Sequence, residues 1–246
     1  MNHSPVSYQL DGQVATITMD DGKRNALSLQ LFAALNEAID RAERDDALIV
    51  LTGRVDAFSA GFDLKVIRAG GMATVEMLTA GYSMIVRLLS FPRPVIAAST
   101  GHAMAMGLFL VLCSDYRIGA AGAYKYAANE VAIGVPMPRA AAEVLRLRLP
   151  PAHVQRAATL ATTYSPEEAV AAGILDEVVS PDKLLQRAYA VAADFAQLDK
   201  HAHRVTKLRI REESLKTIRR SLPLDLSDAV VMGVRRFVAG KKGTPK

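Results

Sequence analysis

Three loops in this 246-residue chain hold the residues whose types and spacing could do chemistry. They read "AFSAGFDLK" (57–65), "GHAMAMGLF" (101–109) and "YAANEVAIGVPMP" (126–138), the last carrying Glu130. The first two place small residues between a strand-like run and the start of a helix-like one. A helix start has free backbone N–H groups and the positive end of the helix dipole, so it can hold a developing negative charge. Glycine and alanine let a ligand come close to that backbone. Two such loops side by side could form an oxyanion hole, among the largest single contributions to catalysis. Close packing of small residues explains the same pattern, and on spacing alone it has the edge. Glu130, taken alone, is an ordinary solvated loop carboxylate.

The elements that must position these loops follow from periodicity. "VSYQLDGQVATITMD" alternates on both sides of Asp11-Gly12, a pair suited to the positive φ of a two-residue hairpin turn. Phe32, Leu35, Ile39 and Ala42 then fall on one helical face, with Ser28 as N-cap. "ALIVLTG" (47–53) is apolar throughout, as a strand covered on both faces should be. This ββα-like unit recurs loosely, with helices over 74–90 and 107–114 and strands over 94–100 and 115–120. From Pro138 the pattern is almost all helical. "SPEE" and "SPDK" place Ser165 and Ser180 as N-caps with proline at the first helical position, and "ILDEVV" is a short strand or connector. The chain therefore reads as an α/β core over 1–190 and a helical region over 191–246.

Composition narrows the classes. Half of the residues are hydrophobic and the net charge is +5, which favours anionic partners. The basic residues gather in 200–220, which reads as a solvated helix face. No aromatics are interleaved there for base stacking, so a nucleic-acid partner is not expected and an anionic small molecule is. The apolar run 103–113 is far shorter than the roughly 20 residues of a membrane helix. The opening "MNHSPVSYQLDG" carries no basic-then-apolar leader, which points to the cytoplasm. The lone Cys113 excludes an intramolecular disulfide and reads as a small core residue. His201 and His203 have no ligand-type spacing to an acidic cluster, and no metal site is expected.

"KRNALS" (23–28), "AFSAGFDLK", "PVIAASTGHAMAMGLFLVLCSDYRI", "NEVAIGVPMP" and "YSPEEAVAAGILDEVVSPDKL", in that order, resemble the crotonase superfamily of enoyl-CoA hydratases and isomerases. The resemblance covers nearly the whole chain. It implies a spiral of ββα units with a helical C-terminal region that mediates assembly into a homotrimer or a dimer of trimers. It implies an acyl-CoA thioester as substrate, with coenzyme A entering as part of it and no prosthetic group. The thioester oxygen would be held by the backbone N–H groups of Phe62 and Met106, positions where the family usually has small residues. Lys23, Arg24, Ser59, Ala60 and Leu64 fall on the coenzyme A side, and Phe237 and Lys241 in "RRFVAGKK" correspond to residues that close over it. Asp63 reads as a helix-start carboxylate and His102 as a packing residue.

Hydratases of that superfamily use two glutamates, because water must be both activated and added with a proton. Here the first position is Phe109, which cannot transfer a proton, and the second is Glu130. One carboxylate beside an oxyanion hole suffices to move a double bond. The pattern resembles the single-glutamate Δ3-Δ2-enoyl-CoA isomerases, with Glu130 as base. The alternatives are a hydratase acting on an unusual acyl-CoA and an acyl-CoA-binding protein without turnover.

Overall fold

The computed structural model describes the backbone of residues 4–242 and the side chains of residues 4–232. A hairpin opens the chain, β1 (Val6–Asp11) antiparallel to β2 (Val14–Met19), turning at Gly12 with φ +56°. β3 (Ala26–Leu27) leads into α1 (Leu29–Arg44), whose first turn is capped by the Ser28 hydroxyl accepting from Leu31 N–H. Phe32, Leu35, Ile39 and Ala42 are buried on its inner face, as the spacing predicts.

Three ββα units follow. The first is β4 (Leu48–Thr52), β5 (Asp56–Ser59), the short β6 (Gly61–Phe62), then α2 (Leu64–Ala69) and α3 (Gly71–Ser90). The second is β7 (Val95–Ser99), β8 (Gly101–Met104) and α4 (Met106–Cys113). The third is β9 (Tyr116–Ala120), β10 (Tyr126–Ala127), a single 3-10 turn at Val131–Ile133, and α5 (Arg139–Arg148). The opening strands of the units line up in parallel in one sheet, ordered β1-β2-β4-β7-β9. Their second strands form a smaller parallel sheet, β10-β8-β5, and β3 pairs with β6. Each unit thus passes from the large sheet to the small one and out into a helix. That repeated step is the spiral.

The chain closes with α6 (Pro151–Leu160), α7 (Pro166–Ala171), β11 (Glu177–Val179) on the edge of the large sheet beside β9, α8 (Leu184–Ala196) and α9 (Lys200–Lys242). Ser165 makes a full capping box with Glu168. Ser180 makes no side-chain cap; the proline after it starts only the 3-10 turn Pro181–Lys183.

β4 and β7 are buried along their whole length because both faces of the sheet are covered. Ile49, Leu51, Val95 and Ala97 point into the main core, whereas Leu48, Val50, Ile96 and Ala98 meet Leu184, Ala188, Val191 and Ala192 of α8. The second cover is therefore α8, and the boundary placed at residue 190 falls inside it. The segment that stands apart from the sheet is α9, which packs on α3 and α5. The helix α3 is long and apolar enough to cross a membrane by length and composition, but its apolar residues Met77, Leu78, Met84, Ile85, Leu88 and Leu89 are buried in the protein core.

The basic stretch of α9 is not a uniformly solvated face. Lys207 and Arg211 are buried, and both pair with Asp115 at the head of β9, at 2.6 and 2.7 Å. A second long-range tie runs from α9 to α5. Pro138 precedes α5 and offers no side-chain cap. Asp225, only 4% exposed, accepts instead from the backbone N–H groups of Arg139 and Ala140, both at 2.9 Å, and from the Arg139 guanidinium at 3.2 Å. Replacing Asp225 by alanine is expected to cost about 1–2 kcal/mol, the range for losing a helix N-cap. Asn, which keeps an acceptor, should cost less. Denaturant titration of both variants checks this, and an unchanged midpoint for alanine would show that the cap contributes nothing.

Candidate active site

The first loop is built around Asn25. Its side chain is fully buried and donates to the carbonyls of Met19, Ala57 and Phe58, at 2.8, 3.2 and 3.1 Å. Its backbone is left-handed, φ +52°, a conformation that asparagine tolerates better than most residues. The "KRNALS" turn is thereby locked to β5. Ser59 is fully buried too. Its hydroxyl donates to Asn25 O and accepts from Gly61 N–H, so it shapes the loop from inside.

At Gly61 the chain turns with φ +85°, and a Cβ there would lie 2.8 Å from Met104 O and 3.3 Å from Met106 N. Only glycine lets the two small-residue loops approach this closely. The N–H of Asp63 returns to Leu27 O of β3 at 3.3 Å. Alternation along the strand turns the Phe62 N–H to the other side, away from β3. Asp63 caps α2 through Lys65 N–H at 2.8 Å, as its position in the sequence suggests.

Met106 is the first residue of α4, so its N–H has no acceptor within the helix. Ala105 before it is strained, with φ +46° and ψ −125°, a geometry costing on the order of 1–3 kcal/mol that recurs at functional sites. Its own N–H is anchored on Ala127 O at 2.8 Å. That bond ties the second loop to β10, three residues ahead of Glu130. The bulk of the two donor residues is directed inward. Met106 is 1% exposed within the core. The Phe62 ring sits against Phe32 and Tyr82, centroids 6.0 and 6.4 Å away. A Cβ at Gly81 would lie 2.5 Å from that ring, so Gly81 is what makes room for it.

Glu130 opens the 3-10 turn after β10. Its Oε2 is buried without a hydrogen-bond partner, and burial pushes the carboxyl up to about 7. Such a group exchanges a proton readily near neutral pH. Phe109, at the other position, is 2% exposed and lies in the core. Of the two positions that carry glutamates in hydratases of the resembled superfamily, this chain thus has a carboxylate at one, Glu130.

Beside the first loop is a cleft of about 310 Å³ lined by Arg24, Ala57, Ala60, His102, Met104 and Lys125. It gathers Arg24 and Ala60 from the residues expected on the coenzyme A side. Lys23 and Leu64 are exposed, and neither lines the cleft. His102 has a positioning role, its Nδ1 accepting from Lys125 N–H at 3.0 Å and its ring edge-on to Tyr124. The side chains of Phe237 and Lys241 lie outside the described residues. Asn25, Tyr82 and Asp225 are parts of this region that sequence reasoning did not single out. For Asn25 a signal existed: an asparagine in the turn before a helix, next to a buried-strand motif.

A spiral of ββα units that brings two helix-start loops together is the architecture of the crotonase superfamily. The family model for enoyl-CoA hydratase/isomerase matches residues 9–227, and the chain belongs to that family. It is 33% identical to a probable enoyl-CoA hydratase of Mycobacterium avium over 199 residues, 78% of this chain and 76% of the relative. The structure superposes on that of an enoyl-CoA hydratase of Mycobacterium ulcerans with TM-score 0.88 at 48% identity, covering 91% of this chain and 99% of the other. It also matches two solved structures of one Mycobacterium tuberculosis protein, described in one as an enoyl-CoA isomerase and in the other as a probable enoyl-CoA hydratase, with TM-scores 0.87 and 0.89 at 47% and 46% identity, covering 91% and 96% of this chain and 98% and 99% of the other.

Proposed function

We propose that this family member is an enoyl-CoA isomerase that moves a 3-enoyl double bond to the 2 position. The observation that carries the reading is the buried, unpaired carboxyl of Glu130, with a phenylalanine, Phe109, at the chain position where hydratases of the superfamily carry their other glutamate. Coenzyme A enters as part of the substrate. Its phosphates have Arg24 and Lys125 at the rim of the cleft to pair with, and Lys23 adds charge nearby. The thioester oxygen accepts from the N–H groups of Phe62 and Met106.

Glu130 takes a proton from C2. The C–H electrons pass into the thioester, giving a dienolate whose oxygen charge is held by the two amides and the α4 dipole. The resulting carboxylic acid gives the proton to C4, the electrons close the C2–C3 double bond, and the carbonyl re-forms. No water is consumed. The resemblance also carries an assembly of three chains or of two such threes, which would bury apolar residues left exposed on α9, such as Leu224, Val230 and Val231.

The test is 3-hexenoyl-CoA deuterated at C2. The product expected is 2-hexenoyl-CoA with deuterium at C4, because a shielded carboxyl returns the atom it removed. Absence of any 2-enoyl product would overturn the proposal.

A further inference from the structure

Tyr82 lies on the buried face of α3 and keeps 4% of its surface. Its ring stands edge-on to that of Phe62, 84° between planes, so it forms part of the wall behind the first oxyanion donor. The other neighbouring rings, Phe32 and Phe62, fill space without a polar atom. A phenylalanine at position 82 would pack as well. The hydroxyl is an added cost unless something bonds to it. Among the described residues it has no protein partner, yet it is not sealed off from solvent-accessible space. Tyr126, by contrast, is fully buried and bonds Ser99 Oγ at 3.0 Å.

Burial first, then the carboxylates of Asp225 and Glu130, raise the Tyr82 phenol above its ordinary value. Both carboxylates are therefore within electrostatic reach, from α9 and from the loop after β10. Neither accepts its proton. Asp225 is occupied by Arg139 and Ala140, and Glu130 Oε2 is itself unpaired. Among the described residues the phenol and Glu130 Oε2 each lack a protein partner, and the two lie within electrostatic reach of each other.

We infer that the Tyr82 hydroxyl donates a hydrogen bond to the acyl group, and that the acyl chain taken by this enzyme carries a neutral oxygen, an oxo or hydroxyl group, beyond the reacting carbons. This rests on the acyl-CoA reading above. A plain alkyl chain would strip water from the phenol and return nothing. A terminal carboxylate would face Glu130 and Asp225, so the oxygen is uncharged.

The experiment is calorimetry with saturated thioesters, which need no turnover: hexanoyl-CoA, its 4-oxo and 5-oxo derivatives, and the 6-carboxylate analogue adipoyl-CoA. At least one oxo thioester should bind about tenfold more tightly than hexanoyl-CoA, the scale of one neutral hydrogen bond gained where the alternative is an unpaired donor. Adipoyl-CoA should show no such gain. Tyr82→Phe, which keeps the ring and its contact with Phe62, should erase the oxo advantage. Equal affinities for hexanoyl-CoA and both oxo thioesters on the unmodified protein would overturn the inference, as would an advantage that survives Tyr82→Phe. Failure to isomerise 3-hexenoyl-CoA is a separate result. It would count against the isomerase reading and leave the Tyr82 comparison standing.

Discussion

Glu130→Gln is expected to slow isomerisation of 3-hexenoyl-CoA by at least about a hundredfold, the lower end for removing a general acid–base group. Glutamine keeps the size and much of the polarity of the side chain but cannot carry a proton between C2 and C4. Thioester binding should change little, because the donors proposed for the carbonyl are backbone N–H groups on β6 and α4. The loss therefore appears in kcat and not in KM. The same carboxyl sets the pH dependence. Burial raises it to about 7, and the base that takes the C2 proton is its ionised form. Activity of the unmodified protein should climb as pH rises through about 7 and then level off. An activity that instead fell across that range would assign the base to another group. A Glu130→Gln variant with near-normal kcat would remove Glu130 from the reaction.

Asp115→Ala should be strongly destabilising. Asp115 accepts from Lys207 and Arg211, and also from Val95 N–H at 2.8 Å. Burial alone would push its carboxyl up, but the two cations and these hydrogen bonds outweigh it and hold the group below the usual carboxylate range. Removing the carboxylate leaves two buried cations facing each other without a counter-ion. Breaking a buried pair in this way costs about 3–5 kcal/mol. Asp115→Asn restores an acceptor for Val95 but not the charge, and should recover only a small part. Chemical denaturation of both variants measures the effect. A loss below about 1 kcal/mol, typical of an exposed pair, would mean that the Asp115 cluster contributes little to holding α9.

What the sequence made legible was what lies close together along it. The hairpin at Gly12, the α1 stripe, the Ser28 cap and the Ser165 capping box are local patterns, and the structure has them. The buried strands were readable as strands because a sheet covered on both faces demands apolar residues at every position. Which helix supplied the second cover was not readable, and so the core was ended at residue 190, inside α8. The basic run of α9 was misjudged for a related reason. A helical stripe of Lys207 and Arg211 looks solvated until the partner, Asp115, is brought to it from another element.

The site divides in the same way. Its three loops could be found from motif order, and Glu130 from its motif. Ser59 stands in the motif, and that its hydroxyl is bonded within the loop depends on Asn25 being brought to it from another turn. Large residues stand at 62 and 106, where the resembled family usually has small ones. Phe62 is accommodated by Gly81, nineteen residues along the chain and on another element. Tyr82 and Asp225 carry no local signature at all. Their roles depend on α3, α5 and α9 meeting in space.

The most direct measurement uses the unmodified protein and two substrates side by side. Purified enzyme is given 3-hexenoyl-CoA and 2-hexenoyl-CoA separately, and the initial rates of 2-hexenoyl-CoA and 3-hydroxyhexanoyl-CoA formation are compared. With one carboxylate and Phe109 in place, isomerisation should exceed water addition by about a hundredfold or more, the factor that a missing acid–base group supplies. Water addition as fast as isomerisation, or faster, would contradict the single-carboxylate account.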